Sequence, residues 1–138
     1  MKVYLDTSVI LRRLLNEPHP LLDWGRWEAA YASRIWLTEA QRTVDRLRLD
    51  GRLGDEDVVR LMDELRKVHA ALYIVPVEEG ILARAGDPFP TTVGTLDAIH
   101  LATALAVQAV TTLDRFLTHD RRLALAAAGT GFTVEGTP

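Results

Sequence analysis

The 138-residue chain contains no cysteine. That removes disulfide frameworks, thiolate metal sites and cysteine nucleophiles. Lysine is nearly absent as well: only Lys2 and Lys67 accompany fourteen arginines. The guanidinium fork suits phosphate and carboxylate, although genome composition alone produces the same bias. The net charge is −3, so no strongly basic surface announces nucleic acid. No apolar run approaches the ~20 residues that a membrane span requires. The opening MKVYLDTSV lacks the apolar core and small-residue cleavage site of a secretory leader. These absences predict a cytoplasmic protein with no membrane association. The length suits one domain, 1–138, able to bury a real core.

What is present is a succession of short apolar strands and amphipathic helices. KVYL (2–5), RIWL (34–37), LYIVPV (72–77), RFLT (115–118) and FTV (132–134) read as strands. Pro76 has to sit near a strand end or at a sheet edge, because it cannot donate to a ladder. VILRRLLN (9–16), LLDWGRWEAAYA (21–32), DEDVVRLMDELRKVHAA (55–71), EEGILARAG, LDAIHLATALAVQAV (96–110) and DRRLALAAAG (120–129) read as helices, the last stopped by Gly129. TEAQRTVDRLRLDG (38–51) joins them, opening on a Thr38-x-x-Gln41 capping pattern and closing at Gly51. GDPFPTTVGT (86–95) is a loop. Strands alternating with helices predict a mostly parallel sheet of five strands in a three-layer α/β/α sandwich. Ligands then bind at the carboxyl ends of the strands, where strand order reverses.

Four acids fall at that edge. Asp6 follows the first strand, Glu39 the second and Asp120 the fourth, while Asp97 lies in the first turn of the long helix. Each has an innocent explanation taken alone, since acids cap helix N-termini and answer the dipole there. Together they mean something else. Carboxylates converging in one pocket repel one another and call for a cation. Oxygen-only ligands favour Mg²⁺ or Mn²⁺ over zinc, and such ions serve phosphate-ester chemistry.

YLDTSVIL, LTEA, TLDAIHLATA and FLTHDRRLALAA, in this order, resemble the PIN domain. More closely they resemble the VapC-type toxins of bacterial toxin–antitoxin pairs, over nearly the whole chain. The resemblance implies a compact α/β/α sandwich, an Mg²⁺- or Mn²⁺-dependent endoribonuclease acting on cellular RNA, and a cognate antitoxin whose tail enters the active-site groove. It also implies a homodimer. Carried over residue by residue, Asp6, Glu39, Asp97 and Asp120 match the acidic positions, with Asp6, Asp97 and Asp120 as the metal ligands. Ser8 and Thr118 match the hydroxyl positions beside the first and last acids. After Glu39 the chain reads AQRTVDRL where the family continues with apolar residues, so Asp45 stands as the alternative second acid.

The expected reaction is in-line attack of activated water on a phosphodiester, leaving a 5′-phosphate and a 3′-hydroxyl. His119, Arg121 and Arg12 are candidate contacts to RNA phosphate, and solvated surface explains them equally well. His100, three residues after Asp97, reads as a satisfied core or supporting histidine. Trp24, Trp27 and Trp36 could stack on bases, but packing or an interface is the better reading. Asp114 reads as a surface acid and Asp87 as a turn residue. The rival is a receiver-like or other Mg²⁺-binding α/β signalling domain. A receiver needs a lysine after its last strand, and no lysine follows Lys67.

Overall fold

The computed structural model describes residues 1–137. In chain order it comprises β1 (Lys2–Leu5), α1 (Thr7–Leu14), β2 (Ala29–Ser33), α2 (Ile35–Leu49), α3 (Asp55–Ala71) and β3 (Tyr73–Val75). There follow α4 (Glu79–Ala85), α5 (Thr95–Gln108), β4 (Arg115–Leu117), α6 (Arg121–Thr130) and β5 (Val134–Glu135). The sheet order is β3-β2-β1-β4-β5, and every pairing is parallel. The expected five-stranded three-layer α/β/α sandwich is what the chain forms.

The strand order explains the layers. Crossovers between parallel strands are right-handed. The chain steps outward from β1 to β3, then returns across the sheet to β4, so helices made on the two journeys cover opposite faces. Val3 and Leu5 join Val9, Ile10, Trp36, Leu61 and Leu65 in the core under α1, α2 and α3. Tyr4 points the other way, with Leu101, Ala104, Phe116 and Leu123 under α5 and α6. That alternation is why KVYL is apolar on both faces. Trp36 is wholly buried, and Trp36→Ala is expected to cost about 3–5 kcal/mol.

The second strand lies earlier than expected. RIWL is not a strand; AAYAS is, and the stretch expected to be helical over 21–32 is irregular up to Glu28. Alanine favours helix in isolation, but Ala29, Ala30 and Ala32 are buried in the sheet, where small side chains let the covering layers approach. Register on β1 (Lys2↔Ala29, Val3↔Ala30) overrides propensity. The chain then turns immediately. Arg34 N–H donates to the Val75 carbonyl (2.9 Å), and Ile35 N–H donates to Ser33 Oγ (3.2 Å), so α2 starts at Ile35 with Trp36, Ala40 and Val44 along its buried face. Thr38-x-x-Gln41 is therefore no capping box, and Glu39 sits a full turn inside α2.

Other boundaries follow local chemistry. Residues 55–71 form α3 as read from the periodicity. Pro76 comes just after β3, which is an edge strand. Helix α6 runs through Gly129, where a β-carbon would press on Pro90 at 3.1 Å, and stops at Gly131, whose φ of +109° closes the C-terminus. Trp24 and Trp27 meet edge to face, with centroids 5.2 Å apart, and pack on the α1–α3 core from an irregular segment.

Candidate active site

Order reverses between β1 and β4, and the two strands end side by side. Asp6 N–H donates to the Leu117 carbonyl (3.0 Å), which fixes the ends of the strands together. The first and last acids therefore leave the same edge.

Asp6 occupies the N-cap position of α1, yet its carboxylate makes no capping hydrogen bond. Oδ2 instead accepts from Ser8 Oγ (2.6 Å) and Thr118 Oγ1 (2.9 Å), while Oδ1 lies 3.5 Å from His100 Nε2. The Asp6 side chain is only 7% exposed. A buried carboxylate held by two hydroxyls has a fixed orientation. Ser8 Oγ also accepts from His119 N–H (3.0 Å), and Thr118 Oγ1 accepts from Asp120 N–H (3.0 Å). One threonine hydroxyl thus joins the first acid to the last.

Asp120 behaves as a true cap. Its Oδ1 accepts from Arg122 N–H (2.8 Å) and Leu123 N–H (3.1 Å), and the residue is exposed. Asp97 stands in the first turn of α5, half-buried. Burial pushes its carboxyl pKa up to about 6, helped by the negative charges of Asp6, Asp120 and Glu39 and opposed by His100. Asp97 therefore lies within Coulombic reach of the other three acids, which is the convergence the sequence pattern implied.

Glu39 is held from below. Thr7 Oγ1 donates to Glu39 Oε1 (2.8 Å), and His100 Nε2 lies 2.7 Å from the same oxygen. His100 is wholly buried, with Nδ1 2.8 Å from the Tyr4 hydroxyl, which also accepts from Ser33 N–H at 3.3 Å. Burial disfavours the imidazolium, but the Glu39 hydrogen bond and the charges of Asp6, Glu39 and Asp97 outweigh it and raise the His100 pKa. Burial and the Asp6 charge push the Tyr4 pKa well up, so its proton stays. Asp45, the alternative second acid, faces away: Arg42 and Arg48 pair with it at 3.1 and 2.8 Å.

The basic candidates divide. Arg12 lies one turn beyond Ser8 on α1 and donates to the His19 carbonyl (3.3 Å). Arg121 is exposed and has no ion pair among the described residues. His119 is half-buried and turned toward the C-terminal segment. Its Nδ1 meets the Gly136 carbonyl at 2.6 Å, and its Nε2 is buried without a partner among the described residues. Trp36 is core, so base stacking by it is excluded. Asp114 accepts from Lys2 N–H (2.7 Å) before β4, away from the carboxyl edge, and Asp87 sits in the 86–94 loop as a turn residue.

Sequence reasoning missed Thr7 and Tyr4 as parts of the site, while His100 is the satisfied, supporting histidine it was read to be. The signal for His100 was its place one turn after Asp97. The donor set suits a hard divalent cation: carboxylate oxygens, one of them with no hydroxyl competing for it in Asp6, and an accumulated negative charge. Among the described residues no group of three or more His, Asp or Glu side chains stands close enough together to hold a metal ion by itself. Magnesium accepts such an arrangement, because it keeps several waters and takes one or two carboxylates directly. A hollow of about 610 Å³ lies elsewhere, among Tyr31, Val75, Ile81, Leu105 and Val110, and none of the four acids lines it.

Comparison with known proteins agrees with this geometry. The family described as PIN domain matches residues 3–129. Ribonuclease VapC47 of Mycobacterium tuberculosis (strain CDC 1551 / Oshkosh) is 31% identical over 137 residues, covering 94% of this chain and 93% of that protein. The structure of FitAcB from Neisseria gonorrhoeae superposes with a TM-score of 0.66 at 23% identity, over 96% of this chain and 95% of that one. VapBC2 from Rickettsia felis, bound to a DNA fragment from its promoter, superposes with a TM-score of 0.68 at 16% identity over 98% of both chains. No helix among the described residues is long and apolar enough to cross a membrane.

Proposed function

The chain belongs to the PIN-domain family, and from that premise we propose that it is a divalent-metal-dependent endoribonuclease, the toxin of a toxin–antitoxin pair. A cognate antitoxin holds it inactive, and it works in the cytoplasm on cellular RNA as a homodimer. The observation that carries this reading is the convergence of four acids at the β1/β4 edge, where Thr118 joins Asp6 to Asp120, His100 joins Glu39 to Asp6, and burial followed by the charges of the other three acids raises the Asp97 pKa to about 6. The curated relative, named as a ribonuclease, supports the reaction class. The toxin–antitoxin assemblies among the structural neighbours support the partner.

Asp6, Asp97 and Asp120 are the residues that would hold Mg²⁺ or Mn²⁺. An ion held there would supply an activated water and offset negative charge on the scissile phosphate. The chain's own residues do the rest. Ser8 and Thr118 keep the Asp6 carboxylate in one orientation, as groups behind a metal ligand commonly do. Glu39, steadied by Thr7 and His100, orients the attacking water or completes a second ion site. Arg12 and Arg121 are the cationic groups for the RNA backbone. Cleavage leaves a 5′-phosphate and a 3′-hydroxyl.

The test is cleavage of total cellular RNA with Mg²⁺, Mn²⁺ or EDTA, with Asp6→Asn alongside. Discrete, metal-requiring cleavage that the variant loses supports the reading, and end-mapping identifies the target. Absence of both cleavage and ion binding by calorimetry would overturn the reading.

A further inference from the structure

The acidic edge is fastened from a direction that no motif predicts. After β4 the chain passes through Thr118, His119 and Asp120, three residues that meet the site through Thr118 Oγ1 on Asp6, His119 N–H on Ser8 and Asp120 itself. The far side of this segment rests on the end of β5. Thr118 N–H donates to the Glu135 carbonyl (3.0 Å), and His119 Nδ1 meets the Gly136 carbonyl at 2.6 Å.

At Gly136 the backbone turns with φ of +109°. A β-carbon there would stand 2.4 Å from the Thr118 carbonyl oxygen, 3.1 Å from its carbon and 3.4 Å from His119 Nδ1. Backbone cannot swing away as a side-chain tip can. Any side chain at 136 has to push back either the turn, losing the His119 contact, or the Thr118 peptide, moving the hydroxyl that orients Asp6. Gly131 supplies the comparison: it has the same φ of +109°, but its β-carbon would meet nothing within 4 Å. Gly131 needs only conformational freedom, whereas Gly136 needs that and the absence of a side chain.

We propose that Gly136 is a positioning residue of the acidic site: its bare Cα lets the end of β5 press on Thr118 and His119 and so sets the Asp6 carboxylate for the cation. This rests on the metal-dependent reading above.

The test is Mn²⁺ affinity by calorimetry, with unfolding in EDTA as a second readout, for wild type, Gly136→Ala, Gly131→Ala and His119→Ala. Gly136→Ala is expected to weaken Mn²⁺ binding about 10- to 100-fold, the effect typical of groups behind a ligand. Gly131→Ala should bind as wild type does while unfolding more readily. RNA cleavage by Gly136→Ala at saturating Mn²⁺ should show a lowered kcat with KM unchanged. His119→Ala removes the imidazole contact without adding a β-carbon at 136 and should weaken Mn²⁺ binding several-fold. This arm decides the matter if Gly136→Ala does not fold. Wild-type affinity in Gly136→Ala, an equal loss in Gly131→Ala, or, where Gly136→Ala does not fold, unchanged binding in His119→Ala, would each overturn the proposal. A wild-type chain that binds no Mn²⁺ would instead overturn the metal reading, and the role of Gly136 with it.

Discussion

Strands β1 and β4 are neighbours, both end in a buried leucine, and each hands the chain to an aspartate and then a helix. Asp6 and Asp120 occupy the same N-cap position with extended backbone. Asp120 gives an oxygen to the first N–H groups of α6, whereas Asp6 gives none to α1 and turns both oxygens toward Ser8, Thr118 and His100. The positive end of α1 is thus left unanswered by its own cap, at a cost of about 1 kcal/mol. Position in a strand–acid–helix pattern says where a carboxylate stands. Its hydrogen-bond partners say whether it serves the helix or faces the ligand.

The sharpest way to break this comparison is Asp6→Asn. Cleavage should fall by at least about 100-fold, while unfolding in EDTA is no easier than for wild type, because no cap is lost and a charge repelling Asp97 is removed. Lost stability with retained cleavage would reverse the roles of the two aspartates. Thr118→Val comes next. It removes the hydroxyl shared by the two loops and should weaken Mn²⁺ binding about 10-fold or more, measured by titration calorimetry.

Proton linkage sharpens the comparison further. The folded-state pKa of Asp97 is raised to about 6, so the stability it contributes is fully present below its unfolded value near 3.9 and is lost as pH rises through about 6. In EDTA, Asp97→Asn should therefore exceed wild type in stability at pH 7.5 by on the order of 1–3 kcal/mol. That advantage should fade as pH falls below 6, and urea unfolding across the range measures it. The smallest effect belongs to Asp120→Ala, a lost cap of about 1 kcal/mol. It should appear in thermal unfolding with or without the ion, alongside a smaller loss of cleavage than Asp6→Asn gives.

Much of this was legible. Helix α3 carries its period openly, and Asp6 and Asp120 stand where strands meet helices, with Asp97 in the first turn of α5. Two things were hidden. AAYAS looks helical because alanine's preference is local, while its strand role comes from pairing with β1 at a distance. The Tyr4–His100–Glu39–Thr7 network joins residues up to 96 positions apart, and no local pattern encodes such a contact. Only the helical spacing of Asp97 and His100 pointed at it. Asp45 could be set aside only once Arg42 and Arg48 were seen holding it on the outer side of α2.

The two borders of the sheet are short. β3 offers three residues before Pro76 removes a donor, and β5 offers two before the chain turns at Gly136. A foreign strand laid along either border would find too few rungs to hold on. Pairing sheet to sheet across either border therefore offers little to a second copy of this chain. In the folded protein the parallel core stays at the centre of the sheet, out of reach of strand addition.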